Sequence, residues 1–199
     1  MIEWMIKTFM SWVKVSSLDI MQTFHLGDAD IEVIVGDITD EHTDAIVNAA
    51  NKYLAPGGGV AGAIHRAAGP QLWEECKTLG GCQTGEAKIT SGYNLPASYV
   101  IHTVGPVYSG KSQDARLLAS CYIQVMRLAA DYGLKSIAFP ALSTGAFGYP
   151  MEKAAGIAIQ SLQDVLKKPT SVHHVRFVLY DAYSLQVHVT VFQRTISKN

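Results

Sequence analysis

The sequence predicts an α/β protein whose sheet is covered by helices on both faces. Short apolar runs typical of buried strands alternate along the chain with longer segments whose apolar residues recur at helical spacing. Neither an internal repeat nor a low-complexity tract interrupts this alternation. A chain of 199 residues with 48% hydrophobic and 17% charged residues suits one globular domain of ordinary size. We therefore expect a single domain over residues 21–199, with residues 1–20 as an N-terminal extension.

The extension has its own pattern. Its apolar residues recur at helical spacing and predict an amphipathic helix: Ile2, Met5, Ile6, Phe9, Met10 and Val13. The segment lacks the basic start, uninterrupted apolar core and small-residue cleavage site of a signal peptide. A helix that docks on a membrane surface and a structural cap both fit this pattern, and the cap or an incidental extension is favoured.

The first half of the domain combines strands with two short helices. Strands are predicted over 23–26, 31–36 and 45–47, the first two separated by a turn at Gly27-Asp28. The run 33–35 is continuously apolar, as expected of a strand buried on both faces. A triple glycine opens a helix through 61–68, and Pro70 begins a second helix over 70–79, because proline suits the first helical turn.

The second half continues the alternation. Strands are predicted over 86–91, 99–104, 136–139 and 175–179, and helices over 114–132 and 151–166. Gly133 follows the first of these helices as a natural C-terminal cap. The tail over 184–194 is ambiguous, because Val187, Val189 and Val191 alternate as they would in a strand. Its place after the last strand favours a helix, which we expect.

Composition and spacing disfavour several classes of function. A net charge of −1 provides no electrostatic footprint for duplex nucleic acid, so nucleic acid is not an expected partner. No apolar run approaches the roughly 20 residues needed to span a bilayer. Cys76, Cys82 and Cys121 form neither a CxxC pair nor an even-numbered framework, which predicts incidental thiols in a reducing, cytoplasmic compartment. His173-His174 lack a third ligand at recognisable spacing, so we expect no metal site and no cofactor.

Three polar or glycine-rich segments follow three predicted strands, and together they form the candidate site. Asp37-Ile38 follows the second strand, residues 48–51 follow the third, and residues 143–148 come just after the strand over 136–139. In open α/β sheets, ligands bind beyond the carboxyl ends of the strands. We therefore expect these three segments to lie at one edge of the sheet.

Two glycine loops predict the kind of ligand. The triple glycine at 57–59 allows backbone N–H groups to approach an anion, and the helix N-terminus that follows favours negative charge. The loop over 143–148 adds donors from Ser143, Thr144 and successive backbone amides. Two such loops indicate a diphosphate held from both sides. The glycines also match a GxGxxG dinucleotide fingerprint, but residues 48–56 separate them from the preceding strand and residues 79–82 lack the required acid. A dehydrogenase is therefore disfavoured.

Single polar residues at these positions each have an ordinary structural alternative. Asp37 could accept a hydrogen bond from an amino group such as that of adenine, or could cap a turn. Asn51 could bind a ribose hydroxyl or orient a water molecule, or could only hold its own loop. His65 and His102, on a helix and in a buried strand, are more typical of packed histidines.

At these residues the sequence resembles the macro domain family, and within it the MacroD-type branch that includes bacterial ADP-ribose-processing enzymes. The matching segments are GDIT at 36–39, DAIVNAAN at 44–51, GGGVAGAIHRAAGP at 57–70, VIHTVGP at 100–106 and FPALSTGAFGYP at 139–150. The resemblance extends from about Met21 to the C-terminus and makes residues 21–199 a single macro domain. It implies a three-layer α/β/α sandwich with a mixed, mainly six-stranded sheet and an ADP-ribose cleft.

The resemblance also implies a role for each matching residue. Asp37 would bind the adenine amino group, Ile38 would line the adenine pocket, and Tyr180 would stack over adenine. Asn51 would hold the distal ribose, with Phe147 packed near it. The complete set expected to bind ADP-ribose is Asp37, Ile38, Asn51, Gly57, Gly58, Gly59, Val60, Ser143, Thr144, Gly145, Ala146, Phe147 and Tyr180. Asn51 and His65 are the expected catalytic residues.

Ala61 departs from the family pattern. MacroD-type hydrolases usually carry an aspartate directly after GGGV that helps to activate or position the attacking water, whereas this chain has Ala61 there. Some viral-type macro domains also have alanine at that position and hydrolyse ADP-ribosyl esters. Water activation would then fall to the phosphate of the ligand, with Asn51 and the loops providing position. General-base assistance contributes roughly 10²–10⁴-fold, so we expect a slow enzyme.

The expected function is to bind ADP-ribose and to hydrolyse ADP-ribosyl esters. The expected substrates are mono-ADP-ribose on acidic side chains of proteins and O-acetyl-ADP-ribose. The alternative is a non-catalytic reader of ADP-ribose or of mono-ADP-ribosylated proteins, which Ala61 favours.

Overall fold

A computed structural model describes residues 21–197 of the chain, so the amphipathic helix predicted within residues 1–20 lies outside the described residues. The strands are β1 (Met21–Leu26), β2 (Ala29–Val35), β3 (Ala45–Ala49), β4 (Ala87–Ser91), β5 (Tyr99–Thr103), β6 (Ser136–Phe139) and β7 (His174–Leu179). The helices are α1 (Gly59–Ala68), α2 (Pro70–Thr78), α3 (Ser112–Asp131), α4 (Met151–Leu166) and α5 (Ala182–Ile196), and a short 3₁₀ helix covers Ile38–Asp40. Every predicted strand and helix between residues 21 and 197 is confirmed, with ends shifted by a few residues.

The strands form one mixed sheet in the order β1-β2-β7-β6-β3-β5-β4. The inner five are parallel, and β1 and β4 are antiparallel edge strands. The mixed sheet is confirmed, but the expectation of mainly six strands is corrected to seven. The additional strand is β1, which pairs with β2 along its whole length, from Met21 opposite Ile34 to Leu26 opposite Ala29. The tight turn between them is made by Gly27, whose φ of 58° is left-handed.

Helices cover both faces of the sheet, which confirms the three-layer α/β/α sandwich. On one face, α3, α4 and α5 bury an aromatic cluster in which the ring of Phe177 lies 5.7 Å from that of Phe139 and 5.0 Å from that of Phe192. On the other face, α1 and α2 pack through Ile64 and Leu72 on a smaller core. Each fully buried side chain of this size contributes about 1.5–3 kcal/mol to folding.

The ambiguous tail is a helix. Asp181 caps it by accepting a hydrogen bond from the Ser184 amide at 2.7 Å, and Leu185, Val189 and Phe192 bury one face at helical spacing. The helical cost of a β-branched residue is below about 0.7 kcal/mol, less than its burial provides. Packing therefore decides against the strand pattern.

The parallel strands bring the candidate site to one edge of the sheet. In the spatial order of the strands, Asp37 follows β2, Tyr180 follows β7, Ser143 lies shortly after β6, Asn51 follows β3 and Gly105 follows β5. This edge thus has a β2–β7 end and a β3–β5 end. Within residues 21–197, no helix has the length and apolarity that a membrane span requires.

Candidate functional site

A cleft of about 410 Å³ opens between two loops at the carboxyl edge of the sheet. One wall is the loop from β3 to α1, and the other is the loop from β6 to α4. The residues that line it are Ala49, Ala50, Asn51, Gly57, Gly58, Gly59, Val60, Ala61, Gly105, Ala141, Leu142, Ser143, Gly145, Ala146 and Phe147. Its size lies within the roughly 300–1,000 Å³ typical of small-molecule sites.

The first wall presents the N-terminus of α1 to the cleft. Gly58 is the N-cap residue, and no side chain caps the helix. Gly59 has a φ of +56°, which a residue with a Cβ adopts only with strain. The first turn carries no acidic residue. The backbone N–H groups and the positive end of the helix dipole therefore face the cleft, an arrangement that favours an anion.

The second wall holds a strained, buried serine. Ser143 has a φ of 64°, is 7% exposed, and its hydroxyl has no hydrogen-bond partner among the described residues. An unsatisfied buried hydroxyl costs about 1–3 kcal/mol, and strain of this kind is typical of ligand sites. A Cβ on Gly105 would overlap the Ser143 hydroxyl oxygen, so only glycine leaves that hydroxyl in place. Thr144 is turned to its own loop, where its hydroxyl donates to the Ala141 carbonyl at 3.0 Å.

The Asn51 side chain holds the loop that follows it. Its amide nitrogen donates to the Ala55 carbonyl at 2.7 Å, and its oxygen accepts from the amides of Tyr53 at 3.0 Å and Ala55 at 3.2 Å. Leu54, between them, is fully buried with a φ of 58°. The Asn51 side chain therefore holds its own loop, as one of the two sequence-based interpretations proposes. Because the amide nitrogen carries two N–H groups, it retains one donor for a ligand in the cleft that it lines.

Three expected adenine residues lie at the β2–β7 end of the same edge, outside the residues that line the cleft. Asp37 is exposed, and one carboxylate oxygen caps the short 3₁₀ helix by accepting from the amide and hydroxyl of Thr39 at 2.9 and 2.8 Å. Ile38 is buried, with its apolar contacts in the core beneath α1. Tyr180 is 93% exposed directly after β7. The adenine-binding role expected of these three residues stays a prediction.

His65 lies behind the cleft and does not line it. It is 7% exposed, and its ring centroid is 6.5 Å from those of Trp73 and His102. Burial lowers the pKa of His65, which favours the neutral ring at pH 7. Burial and the nearby His65 lower the pKa of His102 to about 3. The Asn48 amide nitrogen at 3.0 Å and the Thr90 hydroxyl at 2.8 Å contact the His102 ring nitrogens. The catalytic role of His65 stays a prediction.

The thiols near this region are not activated. Burial raises the pKa of Cys76 and of Cys82 to about 11, and the charges of Glu75 and Glu86 act in the same direction. Cys76 lies 3.7 Å from the His102 ring, but that ring is neutral at any physiological pH. The raised pKa of the thiol and the lowered pKa of the imidazole therefore disfavour a Cys–His nucleophile.

Several residues that line the cleft were not predicted from the sequence. Ala49, Ala50, Ala141 and Leu142 contribute apolar surface that looks like ordinary strand ends in the sequence. Gly105 could have been found, because it follows a strand as Asn51 does and lies in the matching VIHTVGP segment. Among the side chains that line the cleft there is no carboxylate, since Ala61 occupies the position after GGGV.

Comparisons with known proteins identify the family. A family model described as Macro domain matches residues 47–158. A macro domain-containing protein of Methanosarcina mazei is 60% identical over 153 residues, which are 76% of this chain and 81% of that protein. The chain belongs to the macro domain family. The family expected from the sequence motifs is thereby confirmed.

Named enzymes and solved structures are among the relatives of this macro domain. It is 51% identical to an O-acetyl-ADP-ribose deacetylase of an Enterobacter species, over 79% of this chain and 91% of that protein. It is 48% identical to the ADP-ribose glycohydrolase MACROD2 of Xenopus laevis, over 82% of this chain and 39% of that protein. The macrodomain of Oceanobacillus iheyensis with ADP superimposes with a TM-score of 0.86 at 39% identity, covering 90% of this chain and 98% of that one.

Proposed function

We propose that this macro domain binds ADP-ribose and hydrolyses ADP-ribosyl esters. Its substrates are mono-ADP-ribose on acidic side chains of proteins and O-acetyl-ADP-ribose. The observation that carries the proposal is the pair of loops over one cleft, one presenting an uncapped helix N-terminus and the other a buried, unpartnered serine hydroxyl. The names of the deacetylase and glycohydrolase relatives support it.

The two loops suit a diphosphate. The residues we assign to it are Gly57, Gly58, Gly59 and Val60 on one side and Ser143, Thr144, Gly145 and Ala146 on the other. The donors at the start of α1 and the Ser143 hydroxyl approach from opposite walls. Thr144 acts within its loop, which it braces through the Ala141 carbonyl.

The order of the strands supports one direction for the ligand. Asp37, Ile38 and Tyr180 would hold adenine at the β2–β7 end, and Asn51 and Phe147 the distal ribose at the β3–β5 end. A tyrosine that is 93% exposed at the same sheet edge as the cleft gains contact area when a base stacks on it, and such a pair contributes on the order of 1 kcal/mol.

The chemistry is ester hydrolysis at the distal ribose. Water breaks the ester bond between the ribose oxygen and the carboxyl carbon. The products are a ribose hydroxyl and a free carboxylic acid. With Ala61 in the cleft wall, no side chain there serves as a base. The remaining N–H of Asn51 orients the ribose, and a phosphate oxygen of the ligand accepts the proton from water. His65 lies one helical turn after Ala61 on the same face of α1, so it would act indirectly, by positioning that turn.

The second candidate is a reader that binds ADP-ribose or mono-ADP-ribosylated proteins without turnover. Ala61 favours it, because a cleft without a carboxylate can bind the ligand and lack the base that speeds hydrolysis.

A time course decides between the two. A protein mono-ADP-ribosylated on glutamate and, separately, O-acetyl-ADP-ribose are incubated with the wild type and with Asn51→Ala, and released ADP-ribose is followed. We expect slow release by the wild type and much slower release by the variant, with a smaller change in affinity. No release by the wild type, with ADP-ribose still bound in calorimetry, would establish the reader instead.

We also propose a cytoplasmic location. Cys76, Cys82 and Cys121 are all free and buried, as expected in a reducing compartment. Fractionation of cells followed by immunodetection tests the proposal, and recovery of the protein outside the cytoplasmic fraction would contradict it.

A further inference from the structure

At the β3–β5 end of the cleft, the loop after β3 and the first turn of α4 each carry a lysine that lies over a tyrosine ring. The Lys52 ammonium nitrogen lies 4.8 Å from the ring centroid of Tyr53. The Lys153 ammonium nitrogen lies 5.6 Å from the ring centroid of Tyr108 and 3.1 Å from its hydroxyl. We call these four residues the lysine–tyrosine rim. None of the ion pairs between residues 21 and 197 involves either lysine.

The backbone of the rim is fixed to the cleft. The Tyr53 amide donates to the Asn51 side chain at 3.0 Å, and the Lys52 carbonyl accepts from the Cys82 amide at 2.9 Å. On the other side, the Tyr108 amide donates to the carbonyl of Phe147 at 2.8 Å. Asn51 and Phe147 both line the cleft, so the rim lies at the end assigned to the distal ribose.

The side chains of the rim are available to a partner. Tyr53 is 66% exposed, and Lys52 and Lys153 are exposed beside their rings. A cation held over an aromatic face is more ordered than a free lysine, so less side-chain entropy is lost when it pairs with a carboxylate. The rim thus offers two ordered positive charges and an exposed aromatic face where the ester of the ligand leaves the cleft.

We propose that the lysine–tyrosine rim docks the polypeptide that carries the ADP-ribosyl group and selects acidic sequence around the modified residue. This inference rests on the proposed function, because it assumes that the distal ribose and its ester lie at this end. The charges are complementary: Lys52 and Lys153 would pair with carboxylates on either side of the modified residue, and the ring of Tyr53 would pack on its backbone. Two lysines on a chain of net charge −1 do not form the long basic track that a nucleic acid requires.

The test measures binding with ligands that cannot be hydrolysed. Three peptides carry ADP-ribose through a stable amide in place of the glutamate ester, with acidic, neutral or basic flanking residues, and free ADP-ribose is the reference. We expect the acidic peptide to bind about three- to ten-fold more tightly than the neutral one at low salt, as two exposed charge pairs would give. The preference should shrink at high salt because exposed pairs are screened.

Two double variants with the same change in net charge test whether the preference for the acidic peptide depends on the rim lysines. Lys52→Glu with Lys153→Glu should remove or invert the preference for the acidic peptide. Lys135→Glu with Lys168→Glu changes the net charge equally but lies before β6 and β7, at the opposite edge of the sheet, and should retain the preference.

The outcomes separate this inference from the proposed function. Equal affinity for the acidic and neutral peptides, with turnover of the ester substrates intact, overturns the docking and leaves the function standing. A clear preference without any turnover supports the docking and makes the protein a reader. If an oligonucleotide carrying a terminal ADP-ribose gains more affinity from the rim lysines than the acidic peptide does, the partner is not a polypeptide.

Discussion

Gly58→Glu is the sharpest test of the two-loop site, because Gly58 tolerates a side chain without strain. Its φ of −87° and ψ of 176° are ordinary extended backbone, and a Cβ at this position meets no atom within 4 Å. The free energy of unfolding should therefore change by about 0.5 kcal/mol or less, the range of an ordinary surface substitution. The side chain would point into the open space in front of α1, where we place the diphosphate.

The expected loss of affinity follows from charge. A glutamate carboxylate about 5 Å from one phosphate charge, at an effective dielectric of about 20, is repelled by about 3 kcal/mol. The carboxylate also interacts favourably with the positive end of the helix dipole, and the diphosphate has to compete with it for that position. The dissociation constant for ADP-ribose should rise at least about 100-fold. Gly58→Gln has the same bulk without the charge and should lose about ten-fold or less.

Calorimetric titration with ADP-ribose and thermal unfolding of the same samples form the assay. Gly59→Ala is the matched structural control, because its φ of +56° makes any side chain strained, so it should lower the melting temperature where Gly58→Glu does not. If Gly58→Glu folds normally and binds ADP-ribose within ten-fold of the wild type, the diphosphate does not lie against the glycine loop, and the two-loop site is refuted.

Three further predictions concern the chemistry. Asn51→Asp retains the acceptor for the amides of Tyr53 and Ala55 but loses the donor to the Ala55 carbonyl, so thermal unfolding should show a loss of about 1–3 kcal/mol, and turnover should fall at least ten-fold. Ala61→Asp should raise the rate of ester hydrolysis at least about ten-fold over both the wild type and an Ala61→Asn control, since it adds a base to the cleft. Because the pKa of Cys76 is raised to about 11, iodoacetamide at pH 7 should leave this thiol unlabelled in the folded protein, and labelling with loss of activity would contradict the assignment.

Local patterns predicted the elements well because burial and periodicity agree in this chain. Leu118, Cys121 and Val125 lie on the buried face of α3, as their helical spacing indicates. The secondary structure of the tail was harder to predict, because the alternating valines of α5 also fit a strand. The packing of Phe192 against the sheet decides for a helix. The seventh strand, β1, is predicted from the sequence as a separate strand over residues 23–26. The six-stranded expectation came from the family and not from residues 21–26 themselves.

The candidate site was less predictable than the fold. Strand ends and glycine loops located Asn51 and Ser143, because both features depend on backbone geometry that leaves a trace in the sequence. Sequence spacing contains no information on which way a side chain turns. It could not show that Thr144 faces its own loop, that His65 lies behind the cleft, or that Gly105 is required by the Ser143 hydroxyl.

The residue at position 61 affects both candidate functions, because it influences catalysis and ligand binding in opposite directions. It is 5% exposed in the cleft wall, beside the loop that we assign to the diphosphate. A carboxylate at this position would supply a base for water, but it would also repel the negatively charged ligand and lose hydration when the cleft is filled. Alanine removes both effects, so it favours retention of the ligand over turnover. We therefore expect the residue at position 61 to decide how far this macro domain acts as a slow hydrolase and how far as a reader, and the rate of the Ala61→Asp variant tests this.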